Sequence, residues 1–183
     1  MVNKKSKLIL VIFIIFIMIT SAIGFFSFSN QNQDTTNTID YNGFKFTLTQ
    51  DGRWSFNKNN VDFIFDNSPN DLVDINLPEF QITQNKVYLL YNASNLNPSN
   101  DYNIAKLSYT LQNLGIRPVI ACINEENCPS QYPIKSCNEE SFYFKLDNDT
   151  KVYNNDKCLV IQGDKVNINK IVDKVDLKLL GII

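Results

Sequence analysis

Histidine is absent from all 183 residues. Its absence excludes a Ser-His-Asp triad, a Cys-His dyad, histidine metal ligands and histidine-based pH switching. Glycine is scarce, at six residues, and none falls in a P-loop, a dinucleotide-binding turn or a nucleophile elbow; an EF-hand pattern is also missing. No cofactor, metal site or catalytic residue is therefore indicated, and any enzymatic chemistry would rest on carboxylates, Lys, Tyr or Cys. There is no lipobox cysteine and no C-terminal anchor signal, so a lipid tether is not indicated.

Charge is missing where it matters most. Residues 8–28, LILVIFIIFIMITSAIGFFSF, contain none, and at about 1.5 Å per residue a helix of that length spans the roughly 30 Å hydrocarbon core of a bilayer. Lys4, Lys5 and Lys7 precede the run, whereas Asp34 and Asp40 follow it. The positive-inside bias then places residues 1–7 in the cytoplasm as a basic tip, 8–28 in the cell membrane as a single-pass anchor and everything later outside. A cleaved secretory signal, with Thr20-Ser21-Ala22 near the cut, is the alternative; the apolar run continues past it through Phe28, which favours retention, and both readings export the domain. The formal net charge is −2; the three lysines supply +3 of it, which leaves the exported part at −5 and disfavours nucleic acid as a partner.

Residues 29–40 read as a flexible polar stalk, and 41–183 as one exported domain of ordinary size. Phe44, Phe46 and Leu48 alternate with polar residues, Asp51-Gly52 marks a turn before Trp54 and Phe56, and Val61, Phe63 and Phe65 alternate again. These predict a three-stranded antiparallel β-meander with an aromatic face that needs a cover. After a pinned loop, Lys86–Tyr91 is a continuous apolar run suited to a buried strand. A helix with Ile104, Leu107, Leu111 and Leu114 at helical spacing follows, capped by Ser99 or Asn100, with Asp101 at its positive end; Pro118–Cys122 is the next strand. Strand, helix and strand make a βαβ unit with parallel strands. Short strands at Ser141–Leu146, Lys151–Tyr153 and Cys158–Gln162 lead to a C-terminal amphipathic helix. Asn167 is its expected cap, Ile168, Ile171, Val172, Val175, Leu179 and Leu180 form one apolar stripe expected to pack on the sheet, and Lys170, Asp173, Lys174 and Asp176 face largely away from it. The fold class is α+β or α/β.

Four cysteines, Cys122, Cys128, Cys137 and Cys158, lie on the exported side, and their even number predicts disulfides. Zinc would call for paired C-x2-C knuckles, which are absent. Three pairings are open; the favoured one joins Cys128 to Cys137 and Cys122 to Cys158, on the premise that the two strands carrying the latter pair are neighbours. Asn92-Ala-Ser94 and Asn148-Asp-Thr150 are sequons in predicted turns, so Asn92 and Asn148 are candidate glycosylation sites. In parallel-strand units the ligand crevice lies beyond the carboxyl ends of the strands; here that singles out Asn92, Ser94, Glu125 and Glu126. Asp71, Asp74, Asp173 and Asp176 read as solvated acids.

The order VYLLYN, a helix, GIRPVIAC, Cys128, PIKSC, CLVIQG and the closing DKVDLKLLGI resembles a group of uncharacterised archaeal proteins with an N-terminal anchor and a four-cysteine exported domain. The resemblance runs from Tyr41 onward. It implies an exported, disulfide-stabilised domain in an archaeal envelope and transfers no active site. The expected function is that of a membrane-tethered extracytoplasmic domain, a non-enzymatic binding or structural component of the cell envelope with a protein or glycan partner. The alternatives are an exported carboxylate-dependent enzyme acting on glycans, with Glu125 or Glu126 as general acid, and an accessory subunit of a transport or secretion complex.

Overall fold

Residues 37–95 and 101–183 are described by the structure, a computed structural model. The basic tip, the anchor at 8–28 and the stalk as far as residue 36 lie outside the described residues. No helix among the described residues is long and apolar enough to cross a membrane.

The chain begins with an antiparallel sheet of four strands, one more than the meander predicted from the sequence: β1 (Thr38–Tyr41), β2 (Phe44–Leu48), β3 (Trp54–Lys58) and β4 (Val61–Phe65), paired in chain order. β1 takes residues 38–40 out of the expected stalk. Asn42 and Gly43 supply φ values of 52° and 79°, the two positive dihedrals that a tight type I′ hairpin requires, and the register sets Ile39 against Phe46 and Tyr41 against Phe44. On the aromatic face Phe46 stacks on Phe56 at 5.2 Å between centroids and meets Phe65 edge-on at 5.6 Å. The cover for this face comes from Leu72, in a single 3-10 turn at Pro69–Leu72, and from Leu177, Leu180 and Ile182 at the far end of the chain.

The second sheet is mixed: β5 (Lys86–Tyr91), β6 (Arg117–Cys122), β7 (Ser141–Leu146), β8 (Lys151–Asn155) and β9 (Cys158–Gly163), in the order β6-β5-β7-β9-β8. The expected βαβ unit is present: β5 and β6 pair in parallel around helix α1 (Tyr102–Asn113). The chain then passes back across β5 to place β7 on its other side, also parallel. β7 and β8, adjacent in sequence, do not pair; β9 lies between them, parallel to β7 and antiparallel to β8. Helix α2 (Lys165–Leu179) and α1 pack on the same sheet face, where Leu89, Tyr91, Phe142 and Ile161 share one core with Leu107, Leu111, Ile171 and Val175. Leu107 and Leu111 are wholly buried, and each such side chain contributes roughly 1.5–3 kcal/mol of hydrophobic stabilisation.

Both helices start at an aspartate, not at the residues expected. Asp101 caps α1 in place of Ser99 or Asn100, its carboxylate accepting from the backbone N–H of Asn103 at 3.0 Å and Ile104 at 3.1 Å. Asp164 caps α2, accepting from Asn167 N–H at 2.8 Å, so Asn167 sits in the first turn and not at the cap. A carboxylate both satisfies the free amides and complements the positive helix end.

The disulfides are Cys122–Cys128 and Cys137–Cys158, which corrects the favoured pairing. β6 and β9 are separated by β5 and β7, and because these strands run parallel, Cys122 at the end of β6 and Cys158 at the start of β9 lie at opposite ends of the sheet. Cys137 approaches the start of β7 beside Cys158, its carbonyl accepting from Lys157 N–H at 2.9 Å. Cys128 closes instead on the strand it has just left.

Candidate functional site

A cleft of about 410 Å³ opens where the N-terminal ends of α1 and α2 meet the end of β4, lined by Asp66, Asn67, Asp101, Tyr102, Asn103, Lys165, Val166 and Asn169. Through Asp66 the cleft is joined to a buried ion cluster. Lys106, on α1, bonds to Asp173 on α2 and, at 2.8 Å, to Asp66 Oδ2 just beyond β4. Asp173 Oδ2 also accepts from the backbone N–H of Asp66 at 3.1 Å and Asn67 at 2.9 Å and from Asn67 Nδ2 at 2.7 Å. One carboxylate on α2 thus ends the meander and holds the lysine.

The carboxamides extend the cluster to the opening. Asn169 Nδ2 donates to Asp66 Oδ2 at 2.8 Å and to Asn103 Oδ1 at 3.1 Å, while its oxygen accepts from Asn67 Nδ2 at 2.9 Å. At the rim the Tyr102 hydroxyl reaches Asp66 Oδ1 over 3.4 Å, a long contact that leaves that oxygen largely open. Tyr102 and Val166 expose 47% and 67% of their surface beside the cleft.

Electrostatics within the cluster follow from burial set against pairing. Burial opposes the Lys106 charge, yet the carboxylates of Asp173 and Asp66 outweigh it and hold its pKa above the ordinary lysine value. For Asp66 burial is likewise overcome, by the Asn169 and Lys106 donors, and its pKa is lowered. Asp173 is raised by burial, with Lys106 and the Asn67 donors working against the rise. The lysine is therefore a committed cation with two carboxylate partners, unlike a catalytic lysine, which needs a depressed pKa.

Asp173 and Asp176 are 0% and 2% exposed and Lys174 is 8% exposed, which corrects their reading as a solvated face. α2 is covered on two sides, by the five-stranded sheet and by the meander, so no broad solvent face remains. Asp71 and Asp74 are exposed. Asp176 Oδ1 accepts no hydrogen bond among the described residues. Burial pushes its carboxyl well above the usual range, opposed by Lys106 and Thr110 and aided by Asp173. A carboxyl raised on folding contributes stability that is complete below its unfolded pKa, near 4, and lost as pH rises through the folded value. Asp176→Asn cannot ionise, so its stability relative to wild type is expected to improve from about pH 4 upward at as much as about 1.4 kcal/mol per pH unit. Urea unfolding at pH 4, 5, 6 and 7 reads this, and a pH-independent difference would show that Asp176 stays ionised.

The crevice residues predicted from the sequence do gather at the carboxyl ends of β5 and β6. Asn127 Nδ2 donates to Ser94 Oγ at 3.2 Å, joining the two loops, and Asn92 Oδ1 accepts from Ser94 N–H at 3.0 Å. Glu125 and Glu126 are exposed on the short loop closed by Cys122–Cys128, and none of these four lines the cleft between the helices. Asp66, Asn67, Asn103, Lys106 and Asn169 were not anticipated. The signal for them was a second helical row beside each apolar stripe, Asn103-Lys106-Thr110 on α1 and Asn169-Asp173-Asp176 on α2. Among the described residues no group of three or more His, Cys, Asp or Glu side chains is placed to hold a metal ion. In comparisons with known proteins, no family model, curated protein or solved structure matches the chain.

Proposed function

We propose that the chain is an exported domain of the cell envelope, tethered to the membrane by residues 8–28, that binds a protein or glycan ligand in the cleft between α1 and α2 without converting it. The observation that carries this reading is the convergence of Asp66, Asn103, Tyr102 and Asn169 from three separate segments on one pre-built cleft, with the lysine behind Asp66, Lys106, already held by two carboxylates. Concave sites with a few oriented polar groups are where small ligands and chain ends bind. Two disulfides and no free cysteine agree with an oxidising compartment, and the uncharged N-terminal run supports the tether.

A photo-crosslinking amino acid at the exposed rim residue Val166 tests the reading in native membranes. A discrete adduct is expected on irradiation; recovery of unmodified chain alone would overturn it. Export also bears on the sequons. Asn148 is exposed in the turn after β7, whereas Asn92 is half-buried with its side-chain oxygen engaged by Ser94 N–H. The intact mass of protein from its own host is expected to show a glycan that Asn148→Gln removes and Asn92→Gln leaves in place.

A further inference from the structure

The chemistry of the cleft selects among ligands. An anion would meet Asp66 and Asp101, both of which line the cleft. A cation would meet Lys165 and the positive ends of two helices. What remains is a neutral molecule that both donates and accepts hydrogen bonds.

The open groups match that description. Asn103 is only 6% exposed as a residue, its oxygen accepts from Asn169, and its amide nitrogen donates to no other described residue, so a donor fixed by its surroundings stands open at the cleft. A donor held in place in this way can bond a ligand without first giving up a protein partner. Asp66 Oδ1 offers an acceptor satisfied only by the 3.4 Å contact from Tyr102. A donor and an acceptor held in register by Asn169, which bonds both residues, suit two neighbouring hydroxyls. Beside them the Tyr102 ring, 47% exposed, and Val166 supply an apolar wall for a ligand with a C–H face. The volume, about 410 Å³, lies within the usual range for small-molecule sites.

We propose that the cleft takes a neutral saccharide unit, with Asp66 Oδ1 and Asn103 Nδ2 holding adjacent hydroxyls and Tyr102 packing against the face of the ring. This rests on the binding reading above and names its ligand class. The test is saturation-transfer NMR on the full chain in detergent, with methyl α-mannoside, methyl α-glucoside, methyl β-galactoside and N-acetylglucosamine as probes and glucuronic acid and glucosamine as charged comparators. Transfer to at least one neutral sugar, stronger than to either charged one, is expected. Tyr102→Ala should weaken that binding tenfold or more and Tyr102→Phe less than threefold; Tyr102 is at the surface, and an unchanged melting curve confirms that each variant is folded. Strongest transfer to glucuronic acid or glucosamine, equal loss in both Tyr102 variants, or transfer to no sugar overturns the proposal. If no sugar binds but the Val166 crosslink still forms, the saccharide inference falls and the binding reading stands; if neither occurs, both fall.

Discussion

Lys106→Met is expected to destabilise the fold by about 3–5 kcal/mol, the cost of leaving buried carboxylates without their cation. Methionine keeps the length and most of the packing of the lysine stem, so the loss reports charge more than volume. Asp173 has no exposed surface and cannot be rehydrated, whereas the Asp66 side chain is 27% exposed and can. Most of the penalty should therefore trace to Asp173. The double variant Lys106→Met, Asp173→Asn separates the two. Asparagine retains an acceptor for the amides of Asp66 and Asn67 but carries no charge, so the double variant should lose clearly less than the sum of the single variants, by 1 kcal/mol or more. Equilibrium urea unfolding at pH 7 measures all three. A loss below 1 kcal/mol for Lys106→Met would show that the cluster does not hold the helices to the meander.

Removing the Cys137–Cys158 disulfide by replacing both cysteines with alanine is expected to cost about 3 kcal/mol, against about 2 for the same change at Cys122 and Cys128. In the chain-entropy account the difference follows from loop length: the sequence separations are 21 and 6. Cys137 and Cys158 are also packed with Leu90 and Val160 on the sheet face opposite the helices, so their loss leaves a small cavity as well. Thermal unfolding of the two double variants reads the order, and non-reducing peptide mapping of the wild type should recover Cys122 joined to Cys128. A larger loss at the shorter loop would place the main constraint in the loop after β6.

The elements that were legible in the sequence are those with a local signal. Alternation gave β2 to β4, an apolar run gave β5, and helical spacing gave α1 and α2. β1 had a local signal too, the Asn42-Gly43 pair, obscured by the polar residues on its N-terminal side. The disulfide pairing had none, because it depends on which side of β5 the chain takes after β6, and no residue near a cysteine encodes that choice. The cleft was hidden for a related reason. Asp173 and Asp176 look like solvent-facing residues while α2 is imagined with one covered side; they become interior once the meander supplies a second cover. The unmet aromatic face of β2 to β4 was the clue that α2 had two partners, and Leu177 and Leu180, one turn beyond the acids, were the residues to pair with it.

The meander and the end of the chain close on each other. Asn42 Nδ2 donates to the Ile182 carbonyl at 3.0 Å, Lys58 Nζ to the Leu180 carbonyl at 2.6 Å, and Phe46, Phe56, Phe63 and Phe65 share a core with Leu177, Leu180 and Ile182. During synthesis those phenylalanines emerge first and their cover last. At 5–20 residues per second the interval is on the order of ten seconds, during which an aromatic sheet with free edges stands uncovered. Contacts this distant in sequence also slow folding once the chain is complete. A stop codon that removes only Leu177–Ile183, and with it the cover of the aromatic face, should therefore yield aggregate rather than a slightly shortened fold.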